Sequence, residues 1–302
     1  MPACPGASSE PLSTGPALRL AASGGEAVPS SRADPDRPPG TIPPPVTVPG
    51  QLSLESGVPN VARVYDALLG GKDNYAADRD AARRLVAAVP GATWAARANR
   101  AFLGRAVRYL TGQGITQYLD IGSGLPTRGN VHQVAHEVSP GARVVYADID
   151  PVVVAHARAL LADSPAAAHP KVTAVQADLR YPRHLITSRE IRDHLDLDQP
   201  VGLLLVAVLH FMTDADRPHD VVRCLAGHLA PGSHVVISHV TADHIGAEAA
   251  RAAEAVYDGA SAPGVTRSRD DIERFLDGLD LVPPGVTDAA TWRPGPAPAP
   301  GP

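Results

Sequence analysis

From Asn60 onward apolar residues recur three and four positions apart. Val61, Val64, Tyr65, Leu68 and Leu69 share one face of a helix that Asn60 caps and Gly70 and Gly71 end. The same spacing predicts a second helix over about Ala76 to Val89 and a third through Ala98, Phe102, Leu103, Ala106, Val107 and Leu110, closed by Gly112 and Gly114. From Thr116 the texture changes. Short apolar runs, at Gln117 to Ile121, Ala142 to Ala147, Lys171 to Gln176, Val201 to Leu209 and His234 to Ser238, alternate with helical stripes. Those stripes are Val131, Val134, Ala135 and Val138; then Val152, Val153, His156, Leu160 and Leu161; then Val221, Val222, Leu225 and Leu229. A last helix carries Ile272, Phe275, Leu276 and Leu279, with Ser268 as its cap. Parallel crossovers are right-handed almost without exception, so this order implies an α/β fold. It is a doubly wound, mostly parallel Rossmann-like sheet preceded by helices, with ligand at the carboxyl ends of the first strands.

Composition sets the boundaries. Of 31 prolines in 302 residues, twelve precede Val58 and seven lie from Pro283 onward. Such ends cannot bury enough apolar surface to offset chain entropy. The chain therefore divides into a disordered Pro/Gly/Ser-rich tail over 1–57, a helical lid over 58–114, a Rossmann-like domain over 115–293 and a proline-rich tail over 294–302. The formal charge of −5 gives no broad positive field and disfavours non-specific nucleic-acid binding. Two cysteines, Cys4 and Cys224, are too few for a disulfide scaffold or a structural zinc site and suit a reducing cytoplasm. The longest apolar run, Val201 to Leu209, is half the length of a membrane helix, and Met1 to Gly15 lacks the basic and apolar regions of a secretory signal. A cytoplasmic protein without a membrane span is expected.

The chemistry concentrates where strands end. Tyr118-Leu119-Asp120-Ile121-Gly122-Ser123-Gly124 is an apolar strand that runs into an acidic residue and two glycines, which let backbone approach a ligand. Position 127 is Thr where a dinucleotide fingerprint needs a third glycine. The next strand ends at Asp148, where a carboxylate can accept both hydroxyls of a ribose. The third ends at Gln176-Ala177-Asp178-Leu179, which sets Asp178 to accept from an adenine amino group.

Asp120-x-Gly122-x-Gly124, Asp148 and Asp178 together resemble the successive cofactor motifs of class I S-adenosylmethionine-dependent methyltransferases. More narrowly, Ala62 to Asp66, Leu69 to Tyr75, Asn99 to Leu103, Asp120 to Asn130 and Leu203 to Phe211 resemble an actinobacterial S-adenosyl methyltransferase family formerly catalogued as a domain of unknown function. The resemblance spans roughly Val58 to Arg293. It implies that the loop of Asp120, Gly122, Ser123 and Gly124 holds the methionine moiety of S-adenosyl-L-methionine, Asp148 with Ile149 the ribose, and Asp178 with Leu179 the adenine. It also implies transfer of a methyl group to a small-molecule oxygen or nitrogen acceptor. Tyr65, Lys72, Asn74, Asn99 and Arg100 are candidate lid residues lining the acceptor pocket, with helix caps and lid-to-core hydrogen bonds as their alternative use.

His210, just past the fourth strand, is the candidate catalytic base; packing against the adenosyl group or capping the strand is its alternative. The chain lacks both the Asn/Asp-Pro-Pro-aromatic motif of nucleobase and amide methylation and the Pro-Cys pair of cytosine enzymes. Gly71-Lys72-Asp73 lacks the other elements of a phosphate-binding loop. His132 and His136 stand four apart without the following Glu or a third ligand, so no metal site is expected; His234, His239 and His244 stay unassigned. A non-catalytic sensor of S-adenosylmethionine or its demethylated product is the competing reading, and a nicotinamide oxidoreductase ranks below both. One departure from the family concerns the antiparallel strand beside the fifth that normally ends this fold. After Trp292-Arg293 the chain runs into alternating prolines, which cannot hold a sheet ladder. That strand is either missing or replaced by a shortened piece near Val286 to Trp292.

Overall fold

The computed structural model of the chain describes residues 17–22, 57–126, 129–163 and 171–294. The elements in order are β1 (Ala17–Ala22), α1 (Val61–Leu69), α2 (Ala76–Ala88), α3 (Ala92–Gly112), β2 (Gln117–Ile121), α4 (Val131–Val138), β3 (Arg143–Asp148), α5 (Pro151–Asp163) and β4 (Val172–Gln176). There follow α6 (Pro182–Thr187), α7 (Arg189–Arg192), β5 (Gly202–Val206), α8 (Pro218–Ala226), β6 (His234–Ser238), α9 (Ala247–Ala255), α10 (Arg269–Glu273) and β7 (Thr287–Asp288).

The sheet order is β4-β3-β2-β5-β6-β1-β7. β2 through β6 pair in parallel, and chain order reverses at β2, which has β3 on one side and β5 on the other. That reversal opens a crevice at the carboxyl ends of the strands. Side chains alternate between two buried faces as the strand period requires. Leu119, Ile121, Val145, Ala147, Leu203, Leu205, Val235 and Ile237 meet the helices on one side. Tyr118, Val144, Tyr146, Leu204 and Val236 meet α3, α4 and α5 on the other.

Two expectations change. The run from Val201 to Leu209 is not one strand. β5 stops at Val206 because Ala207 turns to φ +55°, and Leu209–Phe211 forms a single 3₁₀ turn. At the far edge, the antiparallel partner of β6 comes from the N-terminal stretch expected to be a tail. Ala17–Ala22 pairs with β6, with Leu18 opposite Ser238 and Ala22 opposite His234. A sheet edge left bare by the C-terminal prolines offers unpaired backbone groups, and an apolar extended segment satisfies them. The shortened C-terminal piece exists, but it pairs with β1 rather than with β6, as Thr287 opposite Leu18. Trp292 anchors it, fully buried edge-on to Phe102, with its carbonyl accepting from Arg105 Nε at 2.9 Å. The rest of the two expected tails, apart from Gly57 and Pro294, lies outside the described residues.

Helix α1 starts where Asn60 Oδ1 accepts from the N–H groups of Ala62 and Arg63, and it ends at Gly70, whose φ is +78°. With α2 and the start of α3 it forms a third, separate cluster in which Val64, Leu68, Ala81, Ala82, Leu85 and Ala96 pack on Ala253 and Val256 around α9. These helices cover the mouth of the crevice.

Candidate functional site

The crevice holds a cavity of about 430 Å³, walled on the sheet side by the loops after β2, β3, β4 and β5 and on the other by α1 and α3. Gly122 and Gly124 adopt φ of +71° and +64°. At Gly122 the lack of a side chain is also a matter of space, because a Cβ there would lie 2.3 Å from Val208 Cγ2. The backbone thus folds back tightly, and the Gly124 N–H donates to Asp148 Oδ2 at 2.9 Å. The Asp150 N–H donates to the other oxygen of Asp148 at 3.0 Å. Each oxygen of Asp148 carries one backbone donor on the protein side, leaving acceptor capacity toward the cavity.

Two carboxylates here are buried well beyond the usual for ionised groups. Burial lifts Asp120 to about 7, against the favourable charge of Arg100 and with the nearby charge of Asp148 adding to the rise. Asp148 is raised to about 6, again by burial first, while its bonds from Asp150 and Gly124 pull in the opposite direction. Both carboxylates are held in an environment that welcomes a cationic ligand.

The predicted cofactor residues converge. Asp120, Gly122, Ser123, Gly124, Asp148, Ile149, Asp178 and Leu179 all line the cavity. Asp178, however, does not present a free carboxylate. Arg180 grips it through Nε and a terminal nitrogen at 3.0 and 2.7 Å, and the Arg180 N–H adds a third bond at 2.9 Å. Any ligand amino group at Asp178 shares it with that guanidinium.

The lid candidates divide. Tyr65, Asn99 and Arg100 line the cavity. The Tyr65 hydroxyl donates to the Ala96 carbonyl at 3.0 Å, which spends its single proton, so Asn99 Nδ2 donates to the Tyr65 oxygen at 2.7 Å. That fixes the amide, and leaves Asn99 Oδ1 buried with no hydrogen-bond partner within the protein. Arg100 donates to the Gly129 carbonyl at 3.2 Å and to Asn130 Oδ1 at 3.0 Å. Lys72 and Asn74 do not reach the cavity. Lys72 is exposed and pairs with Asp73, while Asn74 Nδ2 donates to Asp66 Oδ2 at 2.7 Å and shapes the Gly70-Gly71 turn.

His210 is turned away. It is not among the cavity residues; its ring lies 4.3 Å from that of Phe211 and 5.6 Å from that of His239. Burial and the adjacent Arg267 charge push its pKa down to about 4, which keeps the imidazole neutral and weakly basic. The 3₁₀ turn after Ala207 explains the outcome, since it rotates Phe211 rather than His210 into the site. Arg267 holds that turn in place by donating to the carbonyls of Leu209 and Met212 at 3.2 and 2.8 Å.

The ring nitrogens of His132 and His136 meet Tyr146 and the Ala142 carbonyl. Among the described residues no three His, Cys, Asp or Glu side chains cluster as metal ligands. Sequence reasoning missed Arg180, Asp150, Phe211 and the Ser261-Ala262-Pro263 segment of the wall. The first three stand one or two positions from residues that were singled out. The last carries no pattern that could have found it.

The profile of a family described as S-adenosyl methyltransferase matches residues 49–301. Among solved structures, a proposed methyltransferase from Thermobifida fusca YX is 40% identical, with a TM-score of 0.74, covering 80% of this chain and 88% of its own. A DUF574 family protein from Streptomyces avermitilis MA-4680 is 37% identical with a TM-score of 0.75, covering 80% of this chain and 92% of its own. No curated protein matches the chain. Among the described residues, no helix is long and apolar enough to cross a membrane.

Proposed function

The chain belongs to the S-adenosyl methyltransferase family and is an S-adenosyl-L-methionine-dependent methyltransferase, and from that premise we propose that the cavity between sheet and lid is where the donor binds. The observation that carries this assignment is the chain of acidic strand ends converging on one cavity: Asp120 after Leu119, Asp148 at the end of β3 and Asp178 past β4. In this reading residues 115–293 form the donor-binding domain and residues 58–114 its lid. The methionyl group is a zwitterion. Asp120 and Arg100, both lining the cavity and in each other's field, supply one charge of each sign, and Asn99, with its unpartnered Oδ1, lines the same cavity. The remaining acceptor sites of Asp148 face the ribose diol. Asp178, Arg180 and Leu179 form the adenine end.

When bound, S-adenosylmethionine supplies a methyl group on a positively charged sulfur. The protein's part is alignment and exclusion of water. Tyr65, Asn99, Phe211 and Leu103 wall the cavity from the lid and the β5 loop, and among the described residues no histidine lines it. We infer a small-molecule acceptor with a nucleophilic oxygen or nitrogen that is methylated in line, since α1 and α3 lie across the crevice and leave a cavity of about 430 Å³ between lid and sheet. A free Cys224 thiol suits a reducing cytoplasm.

Calorimetry with S-adenosylmethionine, S-adenosylhomocysteine and NAD tests the donor site. Saturable binding of the first two without NAD is expected, and NAD binding in their place overturns it. Release of S-adenosylhomocysteine from labelled donor over a panel of small amines and hydroxyls then tests the acceptor class. Turnover confined to a peptide or nucleic acid contradicts it.

A further inference from the structure

Asn60 makes two kinds of contact at once. Its Oδ1 accepts from the Ala62 and Arg63 N–H groups and starts α1, while its Nδ2 donates to Asp150 Oδ2 at 2.7 Å, 90 positions along the chain. On the lid side, its own N–H donates to Asp78 Oδ1 at 2.9 Å, and Asp78 Oδ2 accepts from Arg63 Nε at 2.7 Å and from the Tyr75 N–H at 2.8 Å. On the sheet side, Asp150 Oδ1 accepts from the Val152 N–H at 2.8 Å, and the Asp150 N–H donates to Asp148 Oδ1 at 3.0 Å. Asn60, Arg63, Asp78, Asp148 and Asp150 are all less than a tenth exposed. A continuous buried polar chain therefore runs from inside the lid to the carboxylate at the end of β3.

A helix cap alone does not require this residue type. Ser, Thr or Asp caps equally well, but only a carboxamide of this length offers an acceptor to the helix and a donor to a carboxylate in the same side chain. The bond to Asp150 is charge-assisted and shielded from water, the setting in which such bonds are strongest. It ties the first turn of α1 to the loop after β3, and both border the cavity.

We propose that Asn60 is a positioning residue that, through Asp150, fixes the Asp148 carboxylate for the donor ribose and couples closure of the lid to occupancy of the site. The proposal rests on the reading of Asp148 as the ribose acceptor. With the latch closed, the Asp150 peptide is held where its N–H occupies the far side of Asp148 Oδ1, so the near side stays aimed at the cavity. Movement of α1 away from the crevice breaks the bond and releases that peptide.

The test exchanges the roles of the two partners. S-adenosylhomocysteine binding is measured by calorimetry at about pH 8 on the full native chain, Asn60→Asp, Asp150→Asn, the double variant and Asp148→Ala, with the unfolding midpoint of each ligand-free protein as a control. Asn60→Asp keeps the cap but sets two carboxylates against each other, and affinity is expected to fall roughly tenfold or more. In the double variant the two side chains trade places, so that the carboxamide now after β3 donates to the carboxylate now capping α1, and affinity returns to within about threefold of native. Native-like affinity in Asn60→Asp overturns the latch, as does a double variant no better than the two single changes combined. If Asn60→Asp does not fold, Asn60→Ser, which keeps the cap and is too short to reach Asp150, takes its place, with the same loss expected and native-like binding as refutation. The two readings fail differently. Absent native binding, or unchanged binding in Asp148→Ala, overturns the ribose assignment and the latch with it. Binding lost in Asp148→Ala but kept in Asn60→Asp overturns the latch alone.

Discussion

Strands β2, β3, β5 and β6 bury large apolar side chains on both faces, whereas α1 and α2 bury just Val64, Leu68 and Leu85 beside the small Ala81 and Ala82 and place an ion pair in their midst, Arg63 to Asp78 at 2.7 Å. Fully burying a large aliphatic side chain is worth about 1.5–3 kcal/mol, and alanine offers much less. The sheet is thus held by apolar area without reference to any ligand. The lid depends on a few polar bonds, several of which end at the cavity. Elements that must open for ligand exchange come from the less stable end of a fold, and here that difference is built into the choice of side chains.

The change expected to break the comparison most is Arg63→Ala. It leaves Asp78, whose side chain is fully buried, without its counter-charge, at a cost of about 3–5 kcal/mol. Hydrogen exchange should then accelerate throughout α1 and α2 while β2, β3, β5 and β6 keep their protection; uniform acceleration would show that lid and sheet are one cooperative unit. Asp148→Ala strikes the sheet side. Calorimetry should record a loss of about a hundredfold in S-adenosylhomocysteine affinity, as two charge-assisted bonds to the ribose disappear. Gly122→Ala forces a side chain into a positive φ and against Val208. Thermal unfolding should show a loss of roughly 1–3 kcal/mol.

Proton linkage gives a smaller effect. Asp120 and Asp148 are raised to about 7 and about 6 by burial, so the stability they contribute to the ligand-free protein is present at low pH and is lost as pH rises through those values. The ligand-free unfolding midpoint should gain from this pair as pH falls from about 8 toward 5. Affinity for the cationic donor should move the other way, rising as both carboxylates ionise, and rising less for S-adenosylhomocysteine, which lacks the sulfonium charge. The smallest effect is at His210. Its ring should stay neutral down to about pH 5 by proton NMR, given a pKa pushed to about 4, and His210→Gln should leave donor binding unchanged.

The same contrast decides what could be read in the sequence. β2 and β6 match the expected runs residue for residue, because large apolar side chains at a fixed period admit few other arrangements. The acidic strand ends were legible for a related reason, since a parallel sheet brings successive strand ends to one edge. Helix α9 was not foreseen. Its buried face is Ala250 and Ala253, with no large residue to mark a stripe. Which of two neighbours would face the cavity was not legible, because one non-glycine turn at Ala207 brings Phe211 rather than His210 to its wall, and residue type does not announce a positive φ there. The strand at Ala17–Ala22 was hidden by the prolines around it, since pairing to β6 is a property of the vacant edge rather than of its own six residues.

The central claim is that the donor is held between the sheet loops and the lid, and hydrogen exchange with and without S-adenosylhomocysteine tests it most directly. Protection should rise together in the loop from Asp120 to Gly124 and in the first turns of α1 beyond Asn60. Protection confined to the sheet loops, with α1 exchanging as in the free protein, would contradict the account.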